Sequence, residues 1–448
     1  MGRRPGIALL LILLGAGFSV LWGSYLARST SGGMADFKAV YYGARCLMQH
    51  TDPYQDNQLL RAYEADGRRI PADPILAMLY RRAVLVCINL PTTLFLIIPF
   101  ALLHLELAYA LWLLIMAAGL TLAAFLIWQQ TATTSPGIAL SLICFLLANC
   151  VILFKDGNAA GIVVALSVIA VWCFLQDRFV GAGILLLALG LAIKPHDAGL
   201  IWLYFLLAGG LLRKRALQTL AVTVVLALPA VLWVSHVAPH WLPELRSNLQ
   251  TASSHGGLND PGPVSLGFHH PDPIIDLQAL LSIFRDDPRF YTLTGYLISG
   301  VLLVLWAVAT LRSRQSPKGA WLALAAVSAL TMLVTYHRQH DAKLLMLAIP
   351  ACAMLCAEGG RKGWFALLAT STGIVLTGDV PATFLSMFTV HMSVEPGLIG
   401  RLKSVLLFEP APLVLLVIAT FFIWVYWQEA SLEFAAVKRQ SIASPSSV

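Results

Sequence analysis

The chain has 448 residues, 58% of them hydrophobic and only 12% charged, about half the charged fraction of an ordinary soluble domain. So little polar surface excludes a globule in water and points to one integral membrane domain over 1–448. The net charge of +7 does not indicate nucleic acid, because the Lys and Arg residues are scattered between apolar runs instead of forming one basic face. The seven cysteines sit almost all inside apolar runs with no CxxC, which supports neither a disulfide framework nor a metal cluster.

The first apolar run, from Gly6 to about Leu26 behind Arg3 and Arg4, is longer than a signal-peptide core and reads as an uncleaved span. Further runs follow at about 84–103, 106–128, 138–154, 158–175, 179–193, 198–212, 216–238, 291–311, 319–336, 343–357, 363–380 and 409–427, interrupted by two long polar excursions at 27–82 and 239–290. Strict alternation from a cytoplasmic N-terminus would put the basic loop Arg213-Lys214-Arg215 outside, against the positive-inside rule. If 84–128 makes one net crossing, with Pro91 and Pro99 marking a broken or re-entrant first half, every later loop changes side. Arg213–Arg215, Arg312/Arg314/Lys318, Arg361/Lys362 and Lys438/Arg439 then all become cytoplasmic. The expectation is an all-α, polytopic protein of the cell inner (plasma) membrane, with about 12 spans and both termini cytoplasmic.

That topology places four groups of ionisable residues on the extracytoplasmic face: Asp36, Lys155/Asp156, Lys194/His196/Asp197 and His337/Arg338/His340/Asp341. Charged groups at membrane depth are costly, so several at span ends on one side suggest a shared water-accessible site. The plainer alternative is that each ends its own helix at the interface.

Within 27–82, Asp36 opens a helix-like pattern that places Phe37, Tyr41 and Ala44 on one face. Asp36 suits an N-cap, a role compatible with a catalytic carboxylate. Thr51-Asp52-Pro53-Tyr54 is a turn signature. The excursion carries eight Lys/Arg against six acids, and holding an anionic substrate is one reason for that excess.

Asp36-Phe37 after the first span, the Tyr41-Tyr42 pair and Asp52-Pro53-Tyr54 together resemble the first extracytoplasmic loop of glycosyltransferase family 87. Leu191-Ala192-Ile193-Lys194-Pro195 resembles that family's Ala-x-Lys-Pro segment, and Tyr336 to Pro350 its late loop. The chain departs from the family where Lys155-Asp156-Gly157-Asn158 replaces Gly-Gln-x-Asn, and where Asp197 replaces a second Pro. The resemblance implies a GT-C-type mannosyltransferase dependent on polyprenyl-phosphate-mannose, a hexosyltransferase without a cofactor. Its partners would be membrane lipid, a polyprenyl-phosphate-linked sugar donor and a glycolipid or glycan acceptor.

Transfer from a lipid phosphate to a hydroxyl needs a base for the acceptor proton and positive charge near the departing phosphate. Asp36 fits the base. The phosphate candidates are Lys194, His196, His337, Arg338 and His340, with Arg45 or Lys38 from the first loop; Arg338 and Lys194 offer the best geometry. Tyr41, Tyr42, Asn158 and Asp341 are substrate-binding candidates. His337 to Asp341 contains metal-ligand residue types but no metal-site spacing, so no metal is expected. The 239–290 loop, with His255, Asp260, His269, His270 and Asp272, is a lid or acceptor-binding loop or else a connector. A transporter or lipid flippase is the alternative function, and predicts ionisable residues near mid-span and broken helices at the core.

Overall fold

The structure, a computed structural model, describes residues 5–443 apart from 31, 266–267, 269–271, 314–315 and 390, with side chains described as far as 432. Arg3, Arg4, His269, His270 and Arg314, and the side chains of Lys438 and Arg439, therefore lie outside the described residues. The fold is all-α; among the described residues the one piece of β-pairing is an isolated antiparallel bridge between Ile274 and Arg338.

Among the described residues seven helices are long and apolar enough to cross a membrane: Pro5–Ser29, Leu105–Thr131, Gly210–Val237, Pro288–Arg312, Pro317–Val334, Gln339–Glu358 and Pro410–Leu432. Gly360–Leu376 with Asp379–Thr389 forms a further span bent by 63°, and four shorter apolar helices (Pro91–Ala101, Pro136–Ala148, Ala160–Leu175 and Val180–Ile193) pack among these. Pro317–Val334 is the centre of the bundle, with 83% of its apolar window buried, whereas Gly210–Val237 is peripheral at 11%. The alanines of the central helix (Ala320, Ala323, Ala325, Ala326, Ala329) let neighbouring backbones approach closely, as helix packing in lipid requires. Peripheral helices turn large apolar side chains such as Leu21, Val225 and Leu232 outward, which suits a hydrocarbon solvent.

Several apolar runs that read as continuous are interrupted. The run 138–154 is Pro136–Ala148 followed by a separate short helix, Val151–Asp156. The cause is a buried polar node: Lys343 Nζ donates to Asn149 O (2.7 Å) and lies 3.1 Å from Asp379 Oδ1, while Asp379 Oδ2 accepts from Ile152 N (2.6 Å). Asp379 itself stands at the bend after Gly378, so one ion pair joins the breaks of two spans. The run 343–357 begins as a 3-10 helix, Gln339–Ala348, and becomes α-helical at Ile349–Glu358. Arg213-Lys214-Arg215, read as a loop, lies inside Gly210–Val237; Gly209 and Gly210, with φ of 81° and 52°, make the turn instead. The proline-marked segment is a short helix, Pro91–Ala101, with Pro99 inside it.

Candidate active site

The helix Ala35–Met48 begins one residue before Asp36. Its cap is Met34 in a left-handed conformation (φ 62°), with no side-chain capping bond, so Asp36 sits in the first turn and its carboxylate is not used as the N-cap. Met34 N donates to Lys155 O (2.9 Å), which stitches the start of this helix to the end of Val151–Asp156. There Gly157 turns the chain with φ 65°, and a Cβ on it would stand 2.9 Å from Phe37 Cβ. Only glycine meets both demands. Trp112 Nε1 donates to Gly157 O (2.9 Å) and holds the turn. The next residue, Asn158, donates from Nδ2 to Asp36 Oδ2 (2.7 Å) while its Oδ1 accepts from Ala160 N (2.8 Å). The second bond fixes the amide orientation, so the contact with Asp36 is made by a donor. The departing residues of this segment, Lys155 and Asp156, pair with each other at 3.1 Å.

Lys194 is placed by a second helix break. Pro195 stops Val180–Ile193 by removing a backbone donor, and disfavours helical geometry at the residue before it; Lys194 accordingly has φ −145° and ψ 79°. The carbonyls left over, Ala192 O and Ile193 O, accept from the hydroxyls of Thr92 and Thr93 at the start of Pro91–Ala101. The Lys194 ammonium lies between Asp341, which it contacts directly, and Asp197 Oδ2 at 3.3 Å. Burial works against that charge, but Asp197 and Asp341 outweigh it and raise the Lys194 pKa above its ordinary value. Behind it, His337 presents Nε2 to Asp197 Oδ1 (3.2 Å) and Nδ1 to Thr335 O (2.8 Å). Burial works against a charge on His337, but Asp197 and Asp341 beside it outweigh burial and raise its pKa above the ordinary value. His196 packs edge-on against His337, with ring centroids 5.1 Å apart. Burial and the Lys194 charge lower its pKa to about 4, so at neutral pH it offers a hydrogen bond and no charge.

Arg338 faces the same space but its guanidinium is engaged by the protein. Nε donates to Tyr336 OH (2.6 Å), Nη1 to Asp272 O, and Nη2 to Leu258 O (3.0 Å) and Asn259 Oδ1 (3.3 Å). Together with Ile275 N donating to His337 O (2.9 Å), it fastens the 239–290 excursion to the 336–341 segment. His340 Nδ1 lies 3.2 Å from Asp272 Oδ2 of the same excursion. Asn248 ties the other end down, its Nδ2 lying 3.0 Å from both Tyr54 O and Cys87 O. The excursion is thus a wall, built against the first excursion and the span ends.

These elements enclose a cavity of about 770 Å³. Asp36, Lys155, Asp156, Asn158, Lys194, His196, Arg338 and His340 line it, so all four groups of ionisable residues reach one space. Asp341 stands behind Lys194 and holds it, and His337 backs its other partner, Asp197. Arg45, Tyr41 and Tyr42 lie elsewhere. Arg45 Nη1 pairs with Asp66 Oδ1 (3.0 Å), Tyr42 OH donates to Asp66 Oδ2 (3.0 Å) and Tyr41 OH to Leu103 O (2.7 Å), which makes them a structural cluster on the far side of the Asp36 helix. Lys38 donates to Gly33 O (2.8 Å) and is likewise absent from the lining. The cavity also recruits Arg82, Asp272 and Tyr336, which the sequence marks only as members of a basic excursion, a candidate acceptor-binding loop and the family-like late loop.

Among the described residues one group has ligand atoms close enough to share a metal ion, that of His196, Asp197 and His337. The Lys194 ammonium already stands beside Asp197 and supplies the positive charge there.

The model of glycosyltransferase family 87 matches residues 88–335, more than half of the chain. Asn158, Lys194 and His196 fall inside the match, whereas Asp36 and the 336–341 segment fall outside it. No curated protein and no solved structure matches the chain. The interrupted helices and the Lys343–Asp379 pair are features a transporter would also show, and the family match decides between the two classes. This membrane-embedded, all-α chain belongs to glycosyltransferase family 87.

Proposed function

We propose that the protein is an inverting GT-C transferase that moves a sugar, mannose by its resemblance, from a polyprenyl-phosphate donor to a hydroxyl of a lipid-linked or cell-envelope acceptor at the extracytoplasmic face. This retains the topology of about 12 spans with both termini cytoplasmic. The supporting observation is the Asp36 carboxylate. One of its oxygens is held by Asn158, and the other has no protein donor among the described residues and is open to the cavity. As the acceptor oxygen bonds to the anomeric carbon, Asp36 takes its proton and the phosphate leaves with the bonding pair. A phosphate needs no proton to depart, so one carboxylate suffices. The charge of Lys194 is matched by Asp197 and Asp341, and its remaining N–H is left to donate a hydrogen bond to a donor oxygen in the cavity. Leu76, Leu79, Ile88 and Leu90 give the cavity an apolar side suited to a prenyl chain.

The test is to supply purified protein with radiolabelled polyprenyl-phosphate-mannose and a membrane glycolipid fraction. Label in glycolipid, with the anomeric configuration opposite to that of the donor, is expected. Retained configuration, or no transfer from any polyprenyl-phosphate sugar, would overturn the reading.

A further inference from the structure

Resting on the donor proposed above, we infer that Arg82 is the residue that selects the donor's phosphate. Among the cations that line the cavity, Lys155 is matched by Asp156 at 3.1 Å, Lys194 by Asp197 and Asp341, and Arg338 by Tyr336, Asp272, Leu258 and Asn259. Each therefore arrives with its charge or its donors already answered. A phosphate entering such a wall would bring uncompensated negative charge, which is costly away from water. Arg82 lines the same cavity but makes no hydrogen bond or ion pair with any described residue, so its planar fork is available for two oxygens of one phosphate.

Its place in the fold supports the same role. Arg82 lies in Arg81–Leu85, one turn of π-helix, a rare geometry frequent at functional sites, and this turn packs against the Asp36 helix. Immediately before it, Pro74–Tyr80 exposes Ile75, Leu76 and Met78 outward, while Leu76 and Leu79 also line the cavity. One edge of the cavity thus combines an apolar exit with a free guanidinium, the chemistry of a ligand with a phosphate head and a hydrocarbon tail. The tail lies over Leu76 and Leu79, the phosphate meets Arg82, and the sugar reaches inward to Asp36. A competing role for an exposed arginine beside apolar side chains is to anchor the protein to lipid headgroups.

The two roles separate in nanodiscs. Binding of polyprenyl phosphate is compared with that of the matching polyprenol, at low and high fractions of anionic lipid, for wild type, Arg82→Ala, Arg82→Lys and Arg81→Ala. Wild type should prefer the phosphate form, Arg82→Ala should lose roughly ten- to a hundredfold of that preference, Arg82→Lys should recover part of it, and Arg81→Ala should match wild type. In turnover, Arg82→Ala should raise the donor KM while the acceptor KM stays unchanged. A preference kept by Arg82→Ala, or an effect that follows only the anionic lipid content, would overturn the assignment to Arg82 and leave the donor reading standing. A wild type with no preference for the phosphate form would remove the donor reading, and the assignment with it.

Discussion

Exchanging Asn158 for Asp probes the geometry around the base with little change in size. The wild-type amide donates to Asp36 Oδ2 over 2.7 Å while its oxygen accepts from Ala160 N. Asp at 158 would keep the second bond and set a carboxylate against a carboxylate. Two full charges at that distance repel by about 6 kcal/mol at an effective dielectric of 20, so the pair holds a proton instead and its upper pKa rises by several units. Asn158→Asp should therefore be nearly inactive at pH 7 and recover as the pH rises through that value. Asn158→Ala removes a charge-assisted bond worth roughly 1.5–3 kcal/mol and should lower kcat by about ten- to a hundredfold with no new pH dependence. The assay is the pH profile of kcat for sugar transfer by both variants and wild type. Full activity in Asn158→Ala, or a loss in Asn158→Asp that is the same at every pH, would refute a base positioned by this amide.

Other consequences follow from the same geometry. Gly157→Ala combines a left-handed backbone with a Cβ 2.9 Å from Phe37 Cβ, so both the apparent melting midpoint and transfer activity should fall, because any shift of this turn moves Asn158. Lys343→Ala leaves Asp379 buried without its cation and should cost about 3–5 kcal/mol, whereas Lys318→Ala, in a partly exposed pair, should cost about 1 kcal/mol or less; melting of both in the same detergent checks the contrast. Asp156 is pushed up to about 7 by burial, against the pull of Lys155 and with the help of Asp36. The folded state thus keeps a proton that the unfolded state releases near pH 4, and this carboxyl costs stability as pH rises from about 4 to 7. Asp156→Asn should gain melting temperature over wild type between pH 5 and pH 8, and an equal difference at both would contradict the assignment.

The parts of the site legible in the sequence are those where one residue dictates the backbone. Pro195 removes a backbone donor and disfavours helical geometry at the residue before it, so the position of Lys194 at a span end could be read directly. Asn158 was marked by the family pattern, and the convergence of the four ionisable groups followed from placing span ends on one side. Helical spacing was right to group Phe37, Tyr41 and Ala44, all buried, but periodicity does not say which face meets a cavity. Asp36, Ala39 and Val40 line it, and Tyr41, Tyr42 and Arg45 turn away to Asp66. Arg338 read as a phosphate ligand by its chemistry, and the loop carbonyls that claim it come from residues about 66 to 80 positions earlier, beyond any local pattern. The breaks after Ala148 and Leu376 were hidden for a related reason. Hydropathy averages over a run, and the partners that satisfy each break lie elsewhere in the sequence: Asp379 and Lys343 for the break after Ala148, Lys343 and Asn149 for the break after Leu376.

The most direct test of the account is the transferase activity of Asp36→Asn at matched membrane protein level, with donor binding measured on the same preparation. The substitution keeps size and hydrogen-bonding capacity but cannot take a proton. The account predicts that polyprenyl-phosphate donor still binds while transfer falls by at least about a hundredfold. Transfer at the wild-type rate by Asp36→Asn would contradict it and move the base to another residue of the cavity.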